Sequence, residues 1–414
     1  MKIAIVGAGV SGLVAAHLLH DRHEICVFEA ATRPGGHANT IRVDAAGATH
    51  WVDTGFVVYN DRNYPSFVRL LDRLGVATQP TDMSFGVSDE HGRFEYASTS
   101  PNGLFARRAH LVSPSFYRML AEVPRFQREA RALLASDEDP SLAEWLERRR
   151  FSPAFVERLI VPQASAVWSA DPRQMWSFPA RFLAAFFPNH GMLELRGRPQ
   201  WRTVTGGSRR YVDALVAPFR ERLRLATPVR AIRRQPDHVT VQPKGGEPER
   251  FDAVVLATHA DQALELLADA TPREHEVLGA IPYQRNDAVL HTDRRLLPRR
   301  RRARASWNSH LLDAPAGPPA VTYDMNRLQS LDADEELCVT LNRTEAIDPS
   351  RIIDTFAYAH PVFTSEGVAA QQRHGEISGR RRTHFCGAYW GWGFHEDGVV
   401  SGMRVAAALG GRGL

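Results

Sequence analysis

The sequence predicts an α/β fold in which a parallel-sheet domain is assembled from both ends of the chain. Lys2–Val6 is a short apolar run typical of a buried parallel strand, and a glycine-rich segment and a helical pattern follow it directly. Two further apolar runs, 251–258 and 383–386, have the same character much later in the chain. Between them lie long helical and aromatic stretches, which predict a mixed α+β second domain with a helical cap.

The composition indicates a globular protein of about two domains. The chain has 414 residues, of which 43% are hydrophobic and 24% are charged. Its 51 basic and 47 acidic residues give a net charge of only +4, which is too small to indicate a nucleic-acid-binding protein. The three cysteines form no CxxC pair, so we expect neither a disulfide framework nor a metal site, and a cytoplasmic location fits. No apolar run approaches the roughly 18 residues that a membrane-spanning helix needs.

The first glycine-rich segment has the form GxGxxG and joins the first strand to a helix. In a Rossmann-type domain, Gly7 would make the tight turn and Gly9 would admit a pyrophosphate close to the backbone. Gly12 would let the helix pack on the strand, and the helix N-terminus would supply amides for the phosphates. A second strand ends in Glu29, where a carboxylate would bind the ribose hydroxyls.

A second glycine pair lies in 33–37 (RPGGH), and the segment 53–56 (DTGF) completes the region. Here the sequence resembles the FAD superfamily of amine oxidases, phytoene desaturases and protoporphyrinogen oxidases. Members share GxGxxG, an acid ending the second strand, RxGG, and a D-x-G near the flavin. The resemblance implies FAD as cofactor and a Rossmann-type FAD-binding domain that is discontinuous in sequence. The chain departs from the pattern at His37, where amine oxidases usually have arginine.

Later segments match the remaining pieces of such a domain. Val229 lies in a segment that looks like the strand whose valine contacts adenine, and 383–388 reads as a strand leading into a glycine turn. The terminal helix opens at 398–402, and in the family its N-terminal dipole stabilises negative charge on the flavin. The predicted cofactor-binding residues are Gly7, Gly9, Ser11, Gly12, Glu29, Ala30, Arg33, Gly35, Gly36, His37, Thr54, Gly55, Val229, Gly387, Ala388, Gly398 and Val399.

The resemblance also divides the chain into domains. The FAD-binding domain is assigned residues 1–60, 201–265 and 376–414, and the substrate domain residues 61–200 and 266–375. Helical spacing in the first substrate block predicts helices over 65–74, 115–135 and 142–150.

Four aromatic residues fall just before the terminal helix, within 389–397. Their position predicts a wall of the active site, and a packed turn with glycine hinges is the alternative. His395 and Glu396 are the candidates for acid–base catalysis. The predicted substrate-lining residues are Tyr389, Trp390, Trp392 and Phe394.

More narrowly, the chain resembles a bacterial branch of predicted NAD/FAD-binding proteins on 168–169, 189–191 and 387–398. That branch is commonly named amine oxidase and is often associated with methyltransferases resembling cyclopropane-fatty-acid synthase. The association implies a functional link to a lipid methyltransferase and points to modified fatty acyl chains as substrates.

The lysines argue against amine oxidation. Many amine oxidases of the superfamily hold a lysine that positions water near flavin N5. This chain has only Lys2, in the first strand, and Lys244, in a polar turn expected to lie far from the site. We therefore favour desaturation of a hydrophobic chain, with hydride transfer to flavin N5 and proton removal by a base. Amine oxidation, redox-neutral isomerisation and a non-catalytic flavin-binding role beside a methyltransferase remain as alternatives.

An arginine run lies in 294–304, which holds seven arginines and no acidic residue. A solvated loop is the ordinary interpretation of such a run. Because Leu296 and Leu297 lie within it, a more specific interpretation is contact with an anionic membrane surface. The protein would then be a peripheral protein at the inner face of the membrane. The apolar segment 178–188 would then form a tunnel for a long substrate.

Overall fold

A computed structural model of the chain describes residues 1–45, 47–190, 192, 199–313 and 317–414, so Gly191 lies outside the described residues. The strands, β1 to β20 in chain order, are Lys2–Val6, Glu24–Phe28, Thr40–Ala45, Ala48–Asp53, Val58–Asn60, Thr78–Pro80, Phe85–Asp89, Glu95–Ala97, Trp201–Val204, Leu223–Arg224, Val229–Arg234, Val239–Pro243, Glu249–Phe251, Ala253–Leu256, Tyr283–His291, Trp307–Leu311, Val321–Asp324, Cys338–Leu341, Ile352–Pro361 and Thr383–Phe385. The α-helices, α1 to α15, are Val10–Leu19, Pro65–Leu74, Pro101–Leu104, Pro114–Leu134, Leu142–Arg148, Pro153–Phe155, Val161–Trp168, Ala180–Asn189, Arg209–Val216, Ala260–Leu266, Pro272–Gly279, Met325–Leu328, Ser365–Gln371, His374–Ile377 and His395–Ala408.

A five-stranded parallel sheet joins distant parts of the chain. Its order is β10-β2-β1-β14-β20, and every neighbouring pair is parallel. Ile3 in the central strand β1 pairs with Ile25 on one side and with Ala253 on the other. The first, middle and last parts of the chain therefore share one sheet, and the predicted α/β class is confirmed.

Helix α1 is buried along its whole length, between the parallel sheet and α15. At Gly12, a Cβ atom would lie 2.0 Å from the carbonyl oxygen of Gly7, so helix and turn touch through their backbones. At Gly402, a Cβ atom would lie 2.5 Å from the carbonyl oxygen of Ser11. The terminal helix α15 therefore crosses α1 at backbone contact, which brings the aromatic segment before α15 to the glycine turn.

A second sheet has seven strands in the order β19-β15-β18-β17-β16-β7-β8. Strands β15 and β19 pair antiparallel over almost their full length, with Gln284 opposite His360 and Asn286 opposite Tyr358. Tyr358 and His360 are two residues apart on one strand, so their side chains point to the same face of this sheet.

The helical cap, α4 to α8, encloses a mainly aromatic core. Phe126, Trp145, Phe155, Phe186 and Phe187 are all fully buried there. Helices α2, α4 and α5 lie where helical spacing predicts them. Helical spacing did not indicate the strands β6 to β8, which are only three to five residues long. Within the described residues, we find no helix that combines the length and the apolarity needed to cross a bilayer.

We expect Gly12→Ala to lower the free energy of unfolding by about 1–3 kcal/mol, because the new methyl group would collide with the Gly7 carbonyl and force α1 off the sheet. Thermal or urea unfolding of the FAD-free protein measures the change. Gly9→Ala is the matched control, since no atom lies within 4 Å of a Cβ at Gly9. Equal stability of the two variants would contradict this account of the helix contact.

Candidate active site

A cavity of about 960 Å³ is lined by both sheets and by the helical cap. Its glycine wall comes from the parallel-sheet domain and consists of Gly7, Gly9, Ser11, Glu29, Ala30, Gly35, Gly36, His37, Thr54, Gly55, Val229, Gly387 and Ala388. Its aromatic wall consists of Met83, Val167, Trp168, Phe186, Met192, Trp201, Trp307, Tyr323, Met325, Leu328, Val339 and Phe363.

The glycine wall follows from the turn after β1. Gly7 has a φ of 104°, and a Cβ there would lie 2.8 Å from the carbonyl oxygen of Ala257, so only glycine fits this turn. Gly9 faces open space, and it forms a backbone bridge to Gly35 in the second glycine pair. The wall therefore presents bare backbone to the cavity.

Glu29 closes this wall at the end of β2. Its carboxylate accepts backbone N–H hydrogen bonds from Ala8 at 2.7 Å and Ala31 at 2.9 Å. The carboxylate thus holds the glycine turn in place while its side chain lines the cavity.

Four predicted cofactor residues support the wall without lining the cavity. Gly12 lies in the helix contact, and Val399 is fully buried in the core. A Cβ at Gly398 would lie 2.6 Å from Val10, so this glycine also serves close packing. The Arg33 guanidinium donates hydrogen bonds to backbone carbonyls of its own loop, including that of Gly36, and so braces the loop.

Asp53 ties the segment carrying Thr54 and Gly55 to helix α9. Its carboxylate accepts hydrogen bonds from the Thr40 hydroxyl, from the backbone N–H and hydroxyl of Ser208, and from the Gln329 amide. Burial raises the pKa of Asp53 to about 6. Because these bonds use both oxygen atoms of the carboxylate, Asp53 holds the glycine wall in position.

His395 lines the cavity, whereas Glu396 does not. The His395 ring stacks on Phe56 at 3.4 Å, and its Nε2 lies 2.8 Å from the Tyr211 hydroxyl. Burial lowers the pKa of His395 to about 3, so the ring is neutral. The Glu396 carboxylate instead accepts the backbone N–H groups of Ser66 and Phe67 in the first turn of α2. Glu396 is therefore a helix cap and not an acid–base group of the cavity.

The four predicted substrate-lining aromatics divide in the same way. Tyr389 and Phe394 line the cavity. Trp390 points away from it and packs edge-on against His374, with ring centroids 4.6 Å apart. Trp392 packs behind the wall against Phe182, 4.3 Å away. Two of the four aromatic side chains therefore line the cavity and two pack outside it.

His360 is a cavity-lining residue that the sequence did not single out. Its Nδ1 lies 3.0 Å from the Asn286 side-chain nitrogen. The Asn286 oxygen accepts from the Asn342 amide, which is oriented by the Asp287 N–H and the Pro319 carbonyl. Because each amide in this chain has one possible orientation, Asn286 donates to Nδ1, and the ring hydrogen of His360 lies on Nε2.

The surroundings of His360 keep it uncharged. Burial and then the neighbouring His259 lower its pKa to about 4. His37 lies 5.1 Å away and stacks on Tyr358, and His259 stacks on Tyr283. His360 therefore offers the cavity a neutral N–H donor that does not titrate near neutral pH.

His190 has the opposite tautomer. Its Nδ1 lies 3.1 Å from the backbone carbonyl oxygen of Phe186, which can only accept a hydrogen bond, so Nδ1 carries the hydrogen. Within the described residues no donor contacts Nε2, so its lone pair can accept a proton. The ring stacks on Phe186 and lines the cavity, and burial lowers its pKa to about 4. His190 lies in the segment 189–191 that carries part of the narrower resemblance, but no catalytic role was predicted for it.

This geometry can be compared with known proteins. The sequence profile described as "Flavin containing amine oxidoreductase" matches residues 10–323. The chain belongs to this family. Within the family, the flavin-dependent L-tryptophan oxidase RebO of Lentzea aerocolonigenes is 27% identical over 266 residues, which cover 59% of this chain and 54% of RebO. Shorter matches to a diapophytoene desaturase and a protoporphyrinogen oxidase confirm the predicted superfamily.

Solved structures of other proteins show the same fold. Cyclohexylamine oxidase from Brevibacterium oxydans has a TM-score of 0.71 at 18% identity, covering 99% of this chain and 98% of that one. A CLA-producing fatty acid isomerase from P. acnes has a TM-score of 0.69 at 16% identity, covering 97% of this chain and 96% of that one. The aligned region spans 54% to 61% of the length of the curated relatives that match most of this chain.

FAD is the cofactor of this flavoprotein family, and the glycine wall fits it. The open space at Gly9 would accept the pyrophosphate, and Glu29 stands where the ribose hydroxyls would lie. One buried polar atom of the wall, His37 Nε2, has no protein partner in the described part of the chain, which leaves it for a bound group. Val229 and Ala388 would flank the cofactor along the same wall.

Lys244 lies closer to the site than the sequence indicated. It lines the cavity beside Val229 and Arg230, and its backbone N–H donates to the Pro228 carbonyl at 2.7 Å. The expectation that it lies far from the other pieces is wrong, because the turn after β12 folds back on the start of β11. Lys244 belongs to the glycine-wall side and not to the aromatic wall.

We expect Gly9→Asp to abolish FAD binding and leave the fold intact, because its carboxylate would project into the cavity against the pyrophosphate. The ratio of flavin to protein after purification is the measurement. Gly375→Asp is the matched control, since this exposed helical glycine also has open space at its Cβ. A full complement of FAD in the Gly9 variant would contradict the site.

For His360, we expect nitrogen NMR of the histidine rings to show a neutral imidazole with its hydrogen on Nε2 from pH 7 down to its pKa of about 4. His360→Gln identifies the signal. Asn286→Leu removes the donor to Nδ1 and should produce a mixture of tautomers. A hydrogen on Nδ1 in the unmodified protein would contradict the chain of hydrogen bonds from Asn342 through Asn286 to His360.

Proposed function

We propose that this protein is an FAD-dependent oxidoreductase that desaturates a long hydrophobic substrate, such as a modified fatty acyl chain. The proposal rests on the composition of the aromatic wall. None of its described residues bears a charge. Such a wall stabilises a hydrocarbon chain by removing it from water, at about 25 cal/mol for each square ångström buried.

The charged residues that line the cavity lie outside the aromatic wall. Glu29 and Asp53 are held by hydrogen bonds within the protein, and Arg230 and Lys244 lie beside Val229. Glu265 lines the cavity from the exposed side of α10. A charged ammonium group at the aromatic wall would therefore be desolvated with no carboxylate among the described residues of that wall. This favours an uncharged substrate segment at the reacting position.

A smaller cavity of about 230 Å³ lies beside the main one. The two share His190, Trp201 and Trp307, and the smaller cavity reaches Tyr96 and Ser98 at the end of β8. Together they offer space for a chain longer than the aromatic wall alone would hold. A long acyl substrate would fill this space, whereas a small amine would leave much of it empty.

The two histidines of opposite tautomer supply the acid–base groups. FAD, when bound, supplies the two-electron oxidation by accepting a hydride from one substrate carbon. His190 Nε2 accepts the proton from the neighbouring carbon, so that two C–H bonds break and one C=C bond forms. His360 Nε2–H donates a hydrogen bond to an acceptor oxygen and orients it, while the aromatic wall excludes water.

Amine oxidation is the second candidate. RebO and cyclohexylamine oxidase are named for amine or amino-acid substrates, and the family is named for amines. The fatty acid isomerase has a fold of equal likeness, so the fold alone does not choose between the two substrate classes. The uncharged aromatic wall and the missing lysine there favour the acyl chain.

We expect anaerobic addition of a mid-chain methyl-branched fatty acid to bleach the flavin, with a product lighter by two hydrogen atoms in mass spectrometry. Cyclohexylamine and putrescine should leave the flavin oxidised, because an ammonium finds no partner at the aromatic wall. Rapid bleaching by either amine, with no bleaching by the acyl chain, would reverse the assignment. Conversion of the fatty acid without a mass change would instead indicate isomerisation.

In the same assay, His190→Gln should slow flavin reduction about 10²- to 10⁴-fold without loss of bound FAD, because glutamine keeps polarity but cannot accept the proton. His91→Gln is the control, since His91 is exposed and pairs with Asp313 far from the cavity lining. Equal rates for both variants would exclude His190 as the base.

A further inference from the structure

Two stretches without acidic residues, 96–121 and 294–312, meet on the surface. The helical turn Arg301–Ala303 packs on α3, where a Cβ at Gly103 would lie 3.1 Å from the Arg302 carbonyl. Arg107, Arg108, Arg301 and Arg302 line one shallow depression there. The fold therefore concentrates positive charge from two distant segments of the sequence.

Large apolar side chains project beside this depression. The turn Arg108–Val112 and the first turns of α4 expose Leu111, Val112 and Tyr117, at 48%, 83% and 46% of their surface. We call these three residues, together with Arg107, Arg108, Arg301 and Arg302, the docking surface. It combines exposed apolar side chains with nearby arginines, a pattern typical of protein segments that enter the headgroup region of a bilayer.

The residues first expected to contact a membrane do not do so. Leu296 and Leu297 are only 5% and 3% exposed, because they pack into the core, so that expectation is wrong. Arg300 is bound to the buried Glu95 at 2.7 Å, and Arg304 to Glu336 at 2.8 Å. These arginines hold the loop in place and are not available to a partner.

The arginines of the docking surface remain available. Within the described ranges, no carboxylate lies within ion-pairing distance of Arg107, Arg108, Arg301 or Arg302. Arg108 donates only to the Asn102 side chain and a backbone carbonyl. Unpaired arginines on one face attract an anionic partner, and the attraction weakens as salt is added.

We propose that the docking surface binds an anionic membrane, with Val112 and its neighbours entering the headgroup region and the four arginines contacting lipid phosphates. A nucleic acid would satisfy the arginines but not the exposed Leu111 and Val112. The surface also adjoins Ser98 and Pro101, near the end of the smaller cavity. If the proposed acyl substrate is correct, the docked protein would face its source of lipid.

The test is co-sedimentation of the FAD-loaded protein with vesicles of phosphatidylcholine alone or with about one third phosphatidylglycerol, at low and at about 0.3 M salt. We expect binding to the anionic vesicles only, and weaker binding at high salt. R301Q/R302Q should weaken binding about twentyfold or more, at about fivefold per arginine. R250Q/R285Q, which removes two exposed arginines elsewhere, should bind like the unmodified protein.

Val112→Asn separates a membrane from other polyanions, because it removes the apolar side chain without adding charge. It should reduce vesicle binding and leave binding to a short DNA duplex unchanged. Vesicle binding that is insensitive to Val112→Asn, or equally weakened by the control pair, would overturn the proposal in favour of a general anion site. The readout involves no turnover, so failure here and failure of the desaturase proposal are distinguishable.

Discussion

The backbone contact between α1 and α15 is the constraint on which the site depends. Gly12 and Gly402 remove the side chains that would hold α1 away from the turn below it and from α15 beside it. Only at that distance do Gly387 and Tyr389, from the end of the chain, face Gly9, from its beginning, across one cavity. The contact is apolar and repeated along two helices, so it is also a large part of the core.

Much of the glycine wall could be predicted from the sequence because its requirements are local. A glycine at Gly7 is required by the backbone angle of a single turn, and Glu29 is required at the end of one strand. Such requirements involve only a few residues that are adjacent in the sequence. The same holds for the helices α2 and α4, whose apolar spacing is continuous along the chain.

The histidine side of the cavity could not be predicted in this way. The tautomer of His360 depends on Asn286 and Asn342, which lie 74 and 18 residues away and meet it only through β15 and its neighbour β18. Glu396, in the first turn of α15, and Trp390, in the segment before it, adjoin cavity residues in sequence, yet tertiary contacts direct both side chains away from the cavity. Their closeness in sequence to cavity residues therefore led to a predicted place in the cavity that the structure does not show.

The Glu396 cap has a further consequence for the two helices that it joins. The residue before α2, Tyr64, provides no side-chain cap, so the first-turn N–H groups of Ser66 and Phe67 depend on a carboxylate from α15. Moving the start of α15 away from the cavity would leave both groups unpaired and would break the stacking of the His395 ring on Phe56. The start of α2 and the position of His395 are therefore mechanically coupled, and a shift of one helix carries a cost at the other.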